Sequence, residues 1–284
     1  VGGYRGIRYL LLIREVIYFF LFFIFCFILK KKLKKIDLIH FNEITLLPCI
    51  ILMLFFNCKV VSHLRQKQKI NNSFLSNLFR NLSKKYLWKI VAIDSDVFDG
   101  SYNKKKTIIC RNFLNIDKKT SINKRKDSFI VSYIGTLIES KGIINFIEIA
   151  KYFENKKEFA KINFYVFGKV KVNHFRFFLS KIFKNPYLST SKIKVKNLMF
   201  FGEKNNLIEI YNSTDLILFC SNLDAIGRPV MEAAFMKKSS IVFLEKKITD
   251  YVIDGKTGFI VKNRNIKEAI KKIIYLYKNP KQKR

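Results

Sequence analysis

From Phe129 onward the sequence alternates short apolar runs with stretches of helical spacing, and a chain patterned this way has few folds open to it. Phe129 to Ile134, Ile162 to Phe167, Leu198 to Phe201, Asp215 to Cys220 and Ser239 to Phe243 are short and nearly continuous in large apolar side chains, as buried strands are. Between them Ile143 to Phe153, Leu207 to Asn212 and Val230 to Phe235 carry helical spacing, and Ile266 to Tyr277 closes the series with an amphipathic stretch. Strand and helix in regular turn predict a doubly wound parallel α/β sheet. Glycine marks the joints. The chain has only 11 glycines, yet Gly135, Gly142, Gly168, Gly202, Gly227, Gly255 and Gly258 all fall in this half, most of them closing a strand or opening a helix, where a ligand's approach needs room.

The joint after Asp215 to Cys220 carries the most chemistry. It runs from Ser221 through Asp224 to Gly227, after which Pro229 suits the first helical turn and Val230 to Phe235 continues as helix. A helix therefore begins at the carboxyl end of a strand, where unpaired amides and the helix dipole suit a phosphate. Asp224 on the loop and Glu232 one turn into the helix are within reach of sugar hydroxyls there. The same two acids also fit a structural account, Asp224 as a turn residue and Glu232 as a carboxylate favoured by the dipole.

These residues resemble the E-x7-E segment of the retaining GT-B glycosyltransferases of family 4. The usual S-x-x-E-x-x-G-x-P-x-x-E-A reads here Ser221, Asp224, Gly227, Pro229, Glu232, Ala233, with every anchor in register and Asp224 one methylene shorter than the usual Glu. The loop from Gly135 to Gly142 is similar to the family's G-R-L-x-x-x-K-G. Lys141 holds the place of the lysine that neutralises the donor diphosphate, and Thr136 stands where an arginine often helps. Leu207 to Asp215 resembles the helix before the family's "aDv" strand, and Ile253 to Val261 its d-G-x-x-G-x-l-v turn. The resemblance runs from about Asp37 to Pro280, strong after Ile134 and loose before it.

What the resemblance implies is a GT-B fold, two Rossmann-like doubly wound parallel-sheet domains with the first incomplete. Residues 1–117 would form the acceptor-side domain and 118–284 the nucleotide-sugar-binding domain. On this expectation Glu232 takes the ribose hydroxyls and Asp224 the sugar hydroxyls. Lys141 and the segment Gly227, Arg228, Pro229, Val230 take the diphosphate, with Gly135, Thr136 and Ser221 lining the donor. The family implies no metal and no cofactor beyond the nucleotide-sugar substrate, and retention at the anomeric carbon.

The first half is less regular. Asp37 to His40 reads as a strand, Leu46 to Phe56 as an apolar helix, and Lys59 to His63 as the next strand. The D-x-x-H followed by V-V-x-H resembles the family's N-terminal domain, in which a histidine at the second strand's end often faces the donor sugar. His63 is thus a candidate, with Arg65 a weaker neighbour and His40 structural; His63 as a polar residue ending a strand is the alternative. Phe74 to Trp88 has helical spacing, Lys89 to Ile93 is a strand, and Asp94-Ser-Asp96 after it matches the metal-nucleotide D-x-D of the other large glycosyltransferase fold. Nothing downstream supports that fold. Thr107 to Cys110 is the last strand before a polar linker, Asn115 to Asp127. Upstream, Val16 to Leu29 is wholly apolar between Arg14-Glu15 and Lys30-Lys31-Lys32, shorter than the ~20 residues of a spanning helix. It is expected to be a buried or membrane-surface helix, with a true span the alternative should Tyr9 to Ile13 join it past two charges, and no cleavage-site pattern of a signal peptide follows it.

Composition narrows the partners. A net charge of +33 points to a polyanion, but the basic residues are spread along the whole chain among abundant Lys, Asn, Ile and Phe, as an A- and T-rich genome would encode, and no nucleic-acid reader motif is present. Nucleic acid is therefore not an expected partner; an anionic membrane surface is. Five cysteines, Cys26, Cys49, Cys58, Cys110 and Cys220, form no C-x-x-C and imply a reducing compartment without disulfides or structural zinc. The expected protein is a cytoplasmic glycosyltransferase, peripheral on the inner face of the cytoplasmic membrane. It would move a sugar from a nucleotide-sugar to a saccharide or lipid-linked acceptor in cell-surface polysaccharide synthesis. Starting at Val1 and stopping after Asn279-Pro280, the chain reads as a fragment of weak or absent activity. The alternative is a membrane-surface interaction protein on a degenerate GT-B scaffold.

Overall fold

The computed structural model describes residues 8–32, 36–42, 55–56, 58–65, 81, 85–95, 97, 104–111, 128–168, 193–223, 226–245 and 250–279. The chain divides into two compact units, Val1–Phe113 and Leu114–Arg284. Each is built on its own parallel sheet.

The first unit contains helix α1 (Arg8–Lys32) and strands β1 (Leu38–Phe41), β2 (Lys59–Leu64), β3 (Lys89–Ala92) and β4 (Thr107–Ile109), ordered β1-β2-β3-β4 and parallel throughout. Alternation explains the packing: Val60, Ser62 and Leu64 of β2 point inward with Ile90 and Ala92 of β3, closing on Phe41, Leu87 and Val97. Trp88 stands in the bend before β3, not in a helix, and Lys59 Nζ lies 4.6 Å from its ring centroid. Most of the apolar helices expected at Leu46 to Phe56 and Phe74 to Trp88 falls outside the described residues, as do Cys49, Asp96 and the linker.

Helix α1 is not the buried helix that was one of the expectations for it. Among its described side chains only one narrow stripe is covered: Cys26 is buried and Phe19, Phe22 and Leu29 are partly packed, against Phe55, Phe56, Ile36 and Ile39. These positions recur every three or four residues and so share one side. Because the segment is apolar all round, the remaining faces stay exposed, Phe20, Leu21, Ile24, Phe25 and Ile28 among them. No helix among the described residues is long and apolar enough to cross a membrane.

The second unit is the alternating one. Its strands are β5 (Phe129–Ile134), β6 (Ile162–Phe167), β7 (Leu198–Gly202), β8 (Leu216–Phe219), β9 (Ser239–Phe243) and β10 (Gly258–Val261), all parallel in the order β10-β9-β8-β5-β6-β7. Helices α2 (Ile143–Glu154), α3 (Leu207–Asn212), α4 (Arg228–Phe235) and α5 (Ile266–Lys278) connect or follow them. From β5 the chain first winds outward to β6 and β7, then returns and winds the other way through β8. The doubly wound expectation is met, and the reversal between β5 and β8 makes that pair the switch point, where ligands of such sheets bind.

Local chemistry sets these elements. Asn206 caps α3 by accepting from the amides of Ile208 and Glu209, and Asn265 caps α5 by accepting from Glu268 N. Asp215 lies just outside β8 and staples it to β5: its amide donates to the Ile130 carbonyl and its carboxylate accepts from the Ile130 amide, each at 2.9 Å. Ser132 and Thr214 share a buried hydrogen bond of 2.8 Å alongside. The core beneath is aromatic, with Phe146 against Tyr133 and Phe164, and Phe153 against Phe159 and Phe164. Each fully buried ring contributes about 1.5–3 kcal/mol. The d-G-x-x-G turn delivers strand β10. Asp254 accepts from Ile260 N and Thr257 Oγ1 from Ile253 N, and a Cβ on Gly258 would fall 2.1 Å from the Ser240 carbonyl oxygen.

Candidate functional site

Two loops leave the carboxyl ends of β5 and β8, and they are tied to each other by backbone. The first begins at Gly135, whose carbonyl oxygen would lie 2.0 Å from a Cβ on Gly168 at the end of β6. Thr136 is exposed, and its carbonyl accepts from the Tyr133 hydroxyl at 2.7 Å. Glu139–Lys141 then forms one 3-10 turn, with Lys141 half-buried within it, and ends at Gly142. Gly142 is at φ 80°, where other residues are strained, and a Cβ there would stand 1.7 Å from the Cys220 carbonyl oxygen. Glycine is required twice over.

The second loop is sewn onto this turn. Cys220 Sγ donates to the Gly142 carbonyl at 3.1 Å, the Ser221 hydroxyl to the Ser140 carbonyl at 3.2 Å, and the Asn222 amide to the same carbonyl at 3.0 Å. Asn222 Nδ2 reaches the Glu139 carbonyl at 2.9 Å, Asn145 of α2 donates to both the Cys220 carbonyl and Asn222 Oδ1, and Arg264 grips the Asn222 carbonyl at 2.7 Å. Burial pushes the Cys220 thiol up to about 12, so it stays protonated. Ser221 is itself buried, and its hydroxyl also accepts from Leu223 N.

Beyond this seam the chain enters α4. Gly227 is its N-cap, with no side-chain cap, and a Cβ there would press to 2.5 Å from the Phe219 ring. Pro229 has no N–H to offer and Val230 N donates to the Gly227 carbonyl, so among these residues the Arg228 amide is the one whose position leaves it without an intrahelical acceptor. Asp224 lies outside the described residues.

Glu232 is buried one turn into α4 and both of its oxygens are held. Arg228 Nε lies 2.7 Å from Oε1, with the arginine side chain 68% exposed, and the fully buried Tyr211 of α3 donates its hydroxyl to Oε2 at 2.7 Å. The same hydroxyl sits 3.1 Å from the Pro229 carbonyl. Burial first, then the charge and hydrogen bond of Glu232, raise the Tyr211 phenol far above its ordinary range, so it remains a donor. A carboxylate with one fixed donor and one solvent-facing cation can exchange the cation for other donors.

In the first unit His63 stands at the end of β2 beside His40 at the end of β1, with His40 Nε2 3.2 Å from His63 Nδ1. Desolvation first, then His40 and Arg65, lower the affinity of His63 for a proton. Asp94 is buried and its carboxylate accepts from Val97 N at 2.8 Å, a turn-closing contact that accounts for the first acid of the D-x-D. No group of three or more His, Cys, Asp or Glu able to hold a metal ion occurs among the described residues.

The structure therefore sews Ser221 to the turn that contains Lys141, with Gly135 and Thr136 earlier on the same loop and Gly227 to Val230 and Glu232 on the helix that follows. Tyr211, Asn145, Asn222, Arg264 and His40 were not anticipated as parts of a site. Asparagine and tyrosine carry no spacing signal of their own, because their partners lie far off in the chain, 77 residues away for Asn145 and Asn222.

Residues 115–284 match the profile of the glycosyl transferases group 1 family. The chain belongs to that family. Among curated relatives, the capsular polysaccharide biosynthesis glycosyltransferase CapM of Staphylococcus aureus is 24% identical over 147 residues, 52% of this chain and 36% of that protein. The poly(ribitol-phosphate) alpha-N-acetylglucosaminyltransferase of S. aureus strain COL is 27% identical over 159 residues, 53% of this chain and 28% of its own length. The chain thus spans about a third of these relatives. Among solved structures, Anabaena HepE in complex with UDP has a TM-score of 0.66 at 15% identity, covering 87% of this chain and 70% of that one. S. aureus TarM has a TM-score of 0.64 at 16% identity, covering 89% and 51%. The shared fold is GT-B, so the expected fold class holds.

Proposed function

We propose that this chain binds a nucleotide-sugar through its second unit and transfers the sugar, with retention, to a saccharide or lipid-linked acceptor, as a glycosyltransferase of the family 4 type. The observation that carries this reading is the seam at the switch point, which holds the turn bearing Lys141 against the loop that leads into α4. Lys141 supplies a cation for the donor diphosphate, a charge-assisted contact that strengthens as the leaving group gains charge. The Arg228 amide adds a donor at the helix start. Glu232 takes the ribose hydroxyls in exchange for Arg228, whose exposed guanidinium then turns to the phosphates, while Tyr211 keeps the carboxylate in place. Asp224 is assigned to the transferred sugar's hydroxyls, and in the first unit His63 is assigned to a sugar hydroxyl. No metal is needed, because fixed cations meet the diphosphate charge. Likeness to CapM supports a role in cell-surface polysaccharide synthesis, and the family's substrates support a cytoplasmic location.

A second reading has its own observation. The exposed apolar faces of α1 end in Lys30, Lys31 and Lys32, a combination suited to an anionic bilayer surface. It makes the protein peripheral to the inner face of the membrane.

Calorimetry with UDP-, GDP- and ADP-sugars, with and without EDTA, tests the first reading. One donor should give heat that EDTA leaves unchanged and that Glu232→Ala and Lys141→Ala each weaken about tenfold or more. Binding to phosphatidylglycerol vesicles with no response to any nucleotide-sugar would replace the enzyme by a membrane-surface protein.

A further inference from the structure

His40 and His63 occupy one face of the first sheet. The register pairs His40 with Val61, and His63 lies two residues beyond Val61 on the same strand, so both side chains project from the same side. Their rings meet edge to face, centroids 4.7 Å apart and planes at 72°. His40 Nε2 is 3.2 Å from His63 Nδ1.

Such a contact is attractive only when one nitrogen carries a proton and the other a lone pair. Two neutral arrangements satisfy it. In one, His40 Nε2–H donates to His63 Nδ1, and both rings carry their proton on Nε2, the tautomer that a free histidine side chain prefers in water. In the other, His63 Nδ1–H donates to His40 Nε2, and both rings hold the disfavoured Nδ1 tautomer. A doubly charged pair would set two donors against each other, beside Arg65.

We propose that His40 is a positioning residue that holds His63 as its neutral Nε2–H tautomer, so that His63 offers a ligand a hydrogen-bond donor and not a lone pair. The inference rests on the reading above, in which His63 addresses a sugar hydroxyl. A fixed N–H donor suits a sugar hydroxyl oxygen, and it removes His63 from consideration as a base. His40 thereby moves from a structural residue to one that selects the ligand group His63 can meet.

The chain has three histidines, so nitrogen-15 spectra of the labelled, intact chain resolve each ring. At neutral pH, His63 should show a lone pair on Nδ1 and a proton on Nε2, with His40 protonated on Nε2. His40→Gln, whose side-chain amide donates from about the same place, should keep the His63 pattern; His40→Phe should let the two His63 nitrogens average between tautomers. A proton on His63 Nδ1 in the unaltered chain, or an unchanged His63 pattern in His40→Phe, overturns the proposal. Should the spectra show the expected pattern while no nucleotide-sugar binds, the pairing stands and the enzymatic reading fails.

Discussion

Tyr211 illustrates how much one hydroxyl decides in the second unit. Its ring is fully buried, and its proton fixes one oxygen of a buried carboxylate while an exposed arginine holds the other. Tyr211→Phe keeps the packing and removes the donor. Because hydrogen bonds to charged groups contribute more than neutral ones, urea unfolding should show a loss of about 1.5–3 kcal/mol, and donor affinity should fall with it as Glu232 loses its fixed orientation. A stability change under about 0.5 kcal/mol would show that Arg228 alone suffices. His63 gives a pH signature opposite in sign to that of a salt-bridged histidine. Its folded form binds a proton less readily than an ordinary histidine, so between its lowered folded value and the usual 6.5 the unfolded chain holds the extra proton and stability falls on acidification. Proton NMR should find His63 titrating below 6.5, and His40→Gln should move it upward by removing one of the groups that lower it.

The elements that position the site were legible in the sequence wherever the pattern was local. Strands β5 to β9 and helices α2 to α5 announced themselves as apolar runs and helical spacing, and glycines marked their ends. What stayed hidden was cooperation between distant segments: Gly142 was visible as half of a K-G pair, but its contact with the Cys220 carbonyl depends on two turns meeting across the sheet. Helix α1 was ambiguous for a related reason, since an all-apolar segment says that it must be covered and not by what. The seam itself makes a prediction. Gly142→Ala adds a Cβ at positive φ and 1.7 Å from a backbone oxygen, so the turns must separate, at a cost above the ~1–3 kcal/mol of the dihedral strain alone. Cys220 reports the event directly. Buried and protonated in the intact chain, it should react with a thiol reagent only on unfolding; in Gly142→Ala it should react under native conditions, at a rate well above that of the original chain. Retained protection in the variant would mean the backbone had shifted elsewhere.

For the molecule as a whole, the profile match over residues 115–284 places the chain in the group 1 family, and the second unit alone contains every residue proposed for the ribose and the diphosphate. The order β10-β9-β8-β5-β6-β7 puts the first strand of this unit at the sheet's centre, joined on one side to β6 soon after it in the chain and on the other to β8 through Asp215, 85 residues beyond Ile130. During synthesis β5, β6 and β7 emerge first, and the inner margin of β5 has nothing to bond until β8 leaves the ribosome. For that interval a row of unpaired amides and carbonyls on a Phe- and Ile-rich strand is open to any neighbouring nascent chain, so the arrangement that creates a ligand crevice in the finished protein also sets the moment at which the growing one is most exposed to misassembly.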